Sequence, residues 1–249
     1  MAAVTSADLS TRLTAMRAST SAMIADFDAQ RWADTDMATP IALPNWTRGH
    51  VLTHIARNAD GLARALSGAL RGEIVKRYPN GPEGRAADIE AGAGRPVLEQ
   101  LADVRESADR LDRVFGAVAD ADAWNATADR RPSRSWIRAR WQEVEVHRVD
   151  ADSGYTADQW PADFVALLLP RLADRLPDRA RGPLRLEVTA DGSLNPELVG
   201  RVWVVPGQDA PEDPVDVRGP DWAVLAWLTG RTSTVGDAMT ALPELGPWM

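Results

Sequence analysis

Apolar side chains recur every three or four residues from Ser6 to about Trp32, at Leu9, Leu13, Met16, Met23, Ile24 and Phe27, with no glycine or proline among them. That spacing predicts a first helix with one face turned to a core. Pro40 and Pro44 interrupt it, and Thr47 is placed to cap a second helix that runs to about Leu70 on the stripe Leu52, Ile55, Ala59, Leu62 and Leu66. Residues 71–94 hold Pro79, Pro82 and glycines at 72, 81, 84, 92 and 94, which reads as a long connection with at most a short helix. It is longer than an antiparallel helix hairpin needs, so the chain can cross a bundle and return in parallel; a functional loop is the other reading. A third helix is predicted from about Pro96 to Val118, on Leu98, Leu101, Val104, Ala108, Leu111, Phe115 and Val118. A fourth starts after Pro132, capped by Ser133 or Ser135, and continues through Trp136, Ile137, Trp141, Val144 and His147 to about Ala151. Four long helices make a bundle.

After Gly154 the pattern changes. Phe164–Leu176 keeps helical spacing, but Leu184–Thr189, Val202–Val205 and Val215–Arg218 are β-rich and separated by Asp-Gly, Pro-Gly and Gly-Pro turns. Asp221–Leu228 is helical again and stops at Thr229-Gly230. The expected organisation is therefore two domains, residues 1–155 a four-helix bundle and residues 156–249 a small α+β unit. The composition, 45% apolar and 26% charged over 249 residues, is that of a globular chain with enough material for two cores.

Charge and residue usage narrow the chemistry. A net charge of -8, from 28 basic and 36 acidic side chains, repels phosphate backbones and anionic membranes, so neither nucleic acid nor membrane is an expected partner. The N-terminus lacks a basic segment followed by an apolar one, and the best apolar run, Phe164–Leu169, is far too short to span a bilayer. A cytoplasmic protein, monomeric or weakly dimeric, is expected. The chain has no cysteine, which excludes disulfides, thiolate metal sites and a protein thiol nucleophile, so any sulfur chemistry must use a borrowed thiol. Lys76 is the only lysine, which leaves anion binding to arginines.

The histidines carry the remaining signal. His50 and His54 lie four residues apart in the second predicted helix, and Glu143 and His147 lie four apart in the fourth. Side chains one helical turn apart can converge on a single cation. The same spacing also fits an exposed histidine pair or a His–Glu pair that merely supports its helix. Two facts favour a metal: all three histidines fall in two short segments, and Trp136, Arg140, Glu143 and His147 share one stripe. Two imidazoles and a carboxylate would leave positions open on a zinc-like ion, the pattern of a catalytic site.

Asn45-Trp46-Thr47-Arg48-Gly49-His50-Val51-Leu52-Thr53-His54-Ile55-Ala56, the stretch Tyr78-Pro79 with Arg85-Ala86-Ala87-Asp88-Ile89-Glu90, and Trp141-Gln142-Glu143-Val144-Glu145-Val146-His147 together resemble the mycothiol-dependent maleylpyruvate isomerase family of the DinB/YfiT-like metalloenzyme superfamily. Trp227-Leu228-Thr229-Gly230-Arg231 extends the likeness into the second domain. The resemblance implies a DinB-like bundle of the up-down-down-up kind joined to a small C-terminal α+β domain. It implies a divalent metal, zinc, held by His54, Glu143 and His147, with His50 behind the ligands or on the substrate side. A C-terminal arginine needed for activity falls best on Arg231, with Arg218 and Arg201 as nearby alternatives. Arg85 is an anion contact or a solvated loop charge, and Arg140 and Trp46 are candidates for holding the thiol cofactor, although Trp46 also reads as packing. Asp150 could orient His147, and the arginines of 130–140 read most simply as a solvated helix start. The implied activity is isomerisation of maleylpyruvate, a small dicarboxylate, to fumarylpyruvate by reversible addition of mycothiol, a low-molecular-weight thiol. The alternatives are a mycothiol-dependent S-transferase and a non-catalytic metal-binding module. A zinc hydrolase based on Glu145 is disfavoured, because that residue lies two positions from Glu143 and turns to another face.

Overall fold

In the computed structural model, which describes residues 5–206, 214–235 and 242–248, the helical patterns of the first 150 residues become five α-helices. Helix α1 (Ser6–Ala29) opens on a reciprocal cap, with Thr5 Oγ1 accepting from the Asp8 N–H at 3.2 Å and Asp8 Oδ2 accepting from the Thr5 N–H at 2.9 Å. It ends three residues before the expected Trp32, because Arg31 adopts a left-handed φ of 51° that no helix continues through. Helix α2 (Arg48–Leu70) follows Thr47 as expected, but it is buried well beyond its predicted stripe, at Ala56, Gly61, Ala65 and Gly68 as well. Other helices cover it on several sides.

The largest departure from the sequence pattern is α3 (Gly81–Ala93), a thirteen-residue helix where at most a short one was expected. Pro82 sits in its first turn, where the missing N–H would have had no partner in any case. Gly92 in α3 and Gly49 in α2 let the two helices pack closely. A Cβ on Gly49 would stand 2.0 Å from the carbonyl oxygen of Ala93, and one on Gly92 would stand 2.5 Å from Thr53 Cγ2. Helix α4 (Val97–Asp120) is anchored where the Val97 N–H donates to Asp34 Oδ1 at 2.8 Å. Val97 and Val104 face the core, and Leu98, expected on that stripe, is 77% exposed because it stands one residue, about 100°, out of phase with them.

A two-residue hairpin, β1 (Thr127–Ala128) with β2 (Arg131–Pro132), precedes α5 (Ser135–Asp150). Neither Ser133 nor Ser135 caps α5: Arg134 occupies that position, while Ser133 Oγ donates to Ala126 O and Ser135 Oγ to Pro132 O. Both α1 and α2 pack against α4 and α5, around a core that includes Met23, Phe27, Val51, Leu52, Ile55, Val104 and Val144. Trp141 reaches from α5 to α1, fully buried, with its indole N–H donating to Ser19 Oγ at 2.8 Å.

The chain folds as two units, Met1–Gly154 and Tyr155–Met249. In the second unit α6 (Ala162–Ala173) starts and stops earlier than expected, and Leu176–Asp178 form a separate 3-10 turn around Pro177, which has no N–H to extend the helix. Strand β3 (Leu184–Val188) is the centre of a three-stranded sheet, antiparallel to β4 (Val202–Val205) and parallel to β5 (Val215–Gly219). Leu184, Leu186 and Val188 point inward at alternate positions, and α7 (Asp221–Leu228), packed on α6 and β5, is buried along almost its whole length. The buried Asp221 carboxylate accepts the backbone N–H groups of Leu194 and Asn195, each at 2.9 Å, which fastens the start of α7 to the segment after β3. No described helix is long and apolar enough to cross a membrane.

Candidate metal centre

Helix α2 delivers His54 and α5 delivers Glu143 and His147, one turn apart, to the same point inside the bundle. Glu143 Oε2 lies 2.9 Å from His54 Nε2 and 3.3 Å from His147 Nε2, and one potential ligand atom from each residue falls within 4.8 Å of the others. The two imidazoles meet edge to face with centroids 4.5 Å apart. Both rings are buried, at 2% and 4% exposure, on helices rather than loops, so the convergence is held by the packing of the core.

Burial and the neighbouring charges set the protonation of the cluster. Burial, with the charge of His147 beside it, pushes the His54 pKa down to about 4, against the opposing pull of Glu143. For His147 burial acts in the same downward sense, but its hydrogen bonds to Asp150 and Glu143 win and its pKa is raised above 6.5. Burial would raise the Glu143 carboxyl, yet the hydrogen bonds from His147 and His54 hold it well below the usual carboxylate range. At neutral pH the cluster thus contains a carboxylate and one imidazole that stays neutral.

The surrounding residues fix these side chains. His147 Nδ1 lies 2.7 Å from Asp150 Oδ2, on the same helix three residues on. An imidazole that donates from Nδ1 to a carboxylate keeps its Nε2 directed at a metal, the usual support for a histidine ligand. Arg140, on the stripe of Glu143 and His147 and a candidate for holding the thiol, lies in a stretch that reads as a solvated helix start, yet it is 1% exposed, with Nη1 donating to Ile55 O and Asn58 Oδ1 at 2.9 Å each. Burial lowers its pKa to about 10, so it remains a cation one turn from Glu143. Trp46 lies against all three histidines, with ring centroids 6.1 Å from His50, 5.4 Å from His54 and 6.4 Å from His147.

His50 stands outside the ligand cluster. Its Nδ1 accepts from the Thr47 N–H at 3.1 Å, so the proton belongs on Nε2, which faces Glu90 Oε2 of α3 at 3.1 Å. Arg85, also on α3, brings Nη2 to 2.9 Å from His54 Nδ1 and stacks over Tyr78. Arg231 lies in the second unit after α7, donating to Thr229 O and stacked over Trp248. Of its two alternatives, Arg218 pairs with Glu187 at 3.2 Å and Arg201 stacks over Trp203. Asn58, which holds Arg140, escaped the sequence reading, although it stands four residues after His54 on α2 and so shares its side of the helix.

Two buried imidazole nitrogens and an ionised carboxylate oxygen form a donor set suited to a divalent transition ion with coordination positions left over. The donors are few, of mixed type and already oriented, and among the described residues this is the one group of its kind.

No curated protein sequence matches the chain. Two solved structures do. The crystal structure of a mycothiol-dependent maleylpyruvate isomerase is 26% identical, with a TM-score of 0.81 over 96% of this chain and 97% of that one. A variant of that enzyme with one histidine replaced by alanine gives 25% identity and a TM-score of 0.80 over the same shares. Residues 20–152, just over half of the sequence and the part that carries His54, Glu143 and His147, match the mycothiol maleylpyruvate isomerase N-terminal domain, and the chain belongs to that family.

Proposed function

We propose that the protein is a metal- and thiol-dependent cis–trans isomerase that converts maleylpyruvate to fumarylpyruvate, with zinc held by His54, Glu143 and His147 and mycothiol as the thiol. The observation that carries this reading is the meeting of His54 Nε2, Glu143 Oε2 and His147 Nε2 in a chain without cysteine. A divalent metal at these residues supplies a position that favours the thiolate of an added thiol, whose reversible addition to the cis alkene lets the former double bond rotate. The protein's part is to hold and orient. Asp150 fixes the His147 ring, Glu143 contributes a permanent negative charge, and Trp46 covers the imidazoles. The buried Arg140 cation sits behind Glu143 and stabilises its ionised form. A dicarboxylate substrate requires cations, and Arg85 is the proposed one in the first unit; Arg231 is the proposed arginine of the second unit that activity needs.

Purified protein incubated with zinc, mycothiol and maleylpyruvate is expected to yield fumarylpyruvate without net consumption of thiol. A thiol conjugate that accumulates with time would replace the isomerase by a transferase, and a protein that binds zinc but turns over neither would be a metal-binding module. Arg231→Ala is expected to keep its zinc and lose activity by about a hundredfold; unchanged activity removes Arg231 from the reaction.

The protonation pattern predicts how zinc binding responds to pH. A proton and a metal ion compete for each imidazole Nε2. His147, whose pKa its hydrogen bonds to Asp150 and Glu143 raise above the ordinary imidazole value, is the first to take up a proton as pH falls, whereas His54 stays neutral down to about 4 and Glu143 stays ionised. Zinc affinity is therefore expected to decline about tenfold per pH unit once pH falls below the His147 pKa and as long as it stays above the region near 4 where His54 is protonated as well, with one proton released per ion bound. A two-proton dependence, measured by calorimetry in buffers of different ionisation heat, would contradict the assignment.

A further inference from the structure

The two imidazoles of the cluster are supported in opposite senses. His147 Nδ1 faces a carboxylate, an acceptor, at 2.7 Å. His54 Nδ1 faces the guanidinium of Arg85 at 2.9 Å. A guanidinium offers only donors, so His54 Nδ1 must be the acceptor there and its proton must sit on Nε2, which donates to Glu143 Oε2 at 2.9 Å. A neutral imidazole has one in-plane lone pair. It cannot serve Arg85 through Nδ1 and a metal ion through Nε2 at the same time.

Arg85 also borders a cavity of about 480 Å³ along α2 and α3, where Arg57, Arg64, Arg85 and Arg95 face Asp60 and Asp88. Two of these cations are already paired, Arg57 with Asp60 at 3.0 Å and with Asp103 at 2.5 Å, and Arg95 with Asp103 at 2.6 Å. Arg64, which donates to Arg77 O, and Arg85 have no carboxylate partner among the described residues. Arg85 is thus the wall between the histidine cluster and a cavity with unspent positive charge.

We propose that Arg85 is a latch released by metal binding: an ion on His54 Nε2 forces the proton to Nδ1, and Arg85, deprived of its acceptor, turns to join Arg64 in a carboxylate-binding subsite within the cavity. The inference rests on the reading that His54, Glu143 and His147 hold the metal. By thermodynamic reciprocity, a carboxylate in the cavity also draws Arg85 from His54 and strengthens metal binding by the same factor. The subsite orders events, because the anion finds its second guanidinium only in protein that already carries its ion.

The test compares Arg85→Gln with Arg85→Met. Both remove the same charge, but only the glutamine amide oxygen can accept from His54 Nδ1–H. Zinc affinity, measured by competition with a chromophoric chelator, is expected to be about tenfold tighter in R85Q than in R85M, the scale of effect typical of a partner behind a histidine ligand. Without a carboxylate present, R85M is also expected to bind zinc more tightly than the wild type, and zinc binding no tighter in R85M than in the wild type, in protein that binds zinc through His54, overturns the latch alone. Maleate, titrated by calorimetry, is expected to bind the zinc-loaded wild type at least about tenfold more tightly than the zinc-free protein, the low end of the range for coupled sites. That gain should vanish in Arg64→Ala and in R85M while both retain zinc. A gain that survives in both means that maleate meets the zinc directly, and it overturns the subsite. Zinc binding undiminished in His54→Ala overturns the metal reading and the latch with it.

Discussion

His54→Ala is expected to leave the protein folded, without stoichiometric zinc, and slower in maleylpyruvate isomerisation by about a thousandfold or more, which corresponds to a loss of about 4 kcal/mol of transition-state stabilisation. The reason lies in where the donors come from. Glu143 and His147 share one turn of α5, and His54 is the only member of the cluster on another helix. Without it an ion would be held from one side only, by two donors that are not enough for a catalytic site. The ring is small, so the space left by alanine costs about 2–3 kcal/mol of stability at most. Thermal unfolding should therefore distinguish loss of metal from loss of fold. A variant that keeps one zinc per chain and its turnover would remove the cluster from the mechanism.

The second large effect concerns the scaffold. Gly49→Ala is expected to destabilise the first unit by about 3 kcal/mol, the upper part of the range for overpacking, and to lower its unfolding midpoint by roughly 6–12 °C. The added Cβ would stand 2.0 Å from the Ala93 carbonyl oxygen, and that atom belongs to the backbone of α3. It cannot swing aside, so α2 and α3 must separate. Because α3 carries Glu90 and Arg85, which contact His50 and His54, the displacement should also reach the site. Gly116→Ala in α4 is the control: its Cβ would meet nothing closer than the tip of Arg17 at 4.0 Å, and alanine's better helix propensity should make it neutral or slightly stabilising. Equal midpoints for the two variants would mean that the α2–α3 approach is loose.

Much of this was legible in the sequence, and the exceptions have physical causes. The apolar stripes located the four long helices, and the i,i+4 pairs put forward His50, His54, Glu143 and His147 as candidates, because both periodicities follow directly from helix geometry; the choice of His54 over His50 as the third ligand came from the family resemblance and not from the spacing. Helix α3 was hidden by the very residues that let it form. Its glycines read as chain breakers, whereas Gly92 is what allows the close approach to Thr53. The stripe shared with Glu143 and His147 put Arg140 on the side of the cluster, but its partners were not legible, since an arginine-rich stretch looks solvated until Ile55 O and Asn58 Oδ1 are found 85 and 82 residues away. Arg85 could be singled out as an anion contact but not placed, because its partner His54 lies 31 residues back and on a different helix. Asp150 was within reach of local reasoning, and its three-residue spacing from His147 acquires meaning only once the direction of the ring is known.

His54 and Glu143 are 89 residues apart in the chain. An ion shared between them is a cross-link, and in the unfolded chain closing a loop of that length would cost about 4–5 kcal/mol in entropy. The folded bundle has already brought the two ends together, so affinity for the ion measures the integrity of the bundle as well as the quality of its ligands. Ion retention and folding are then a single linked equilibrium. A substitution such as Gly49→Ala, which touches no donor atom, should show itself first as slow leakage of metal into a chelator, well below the temperature at which the helices melt.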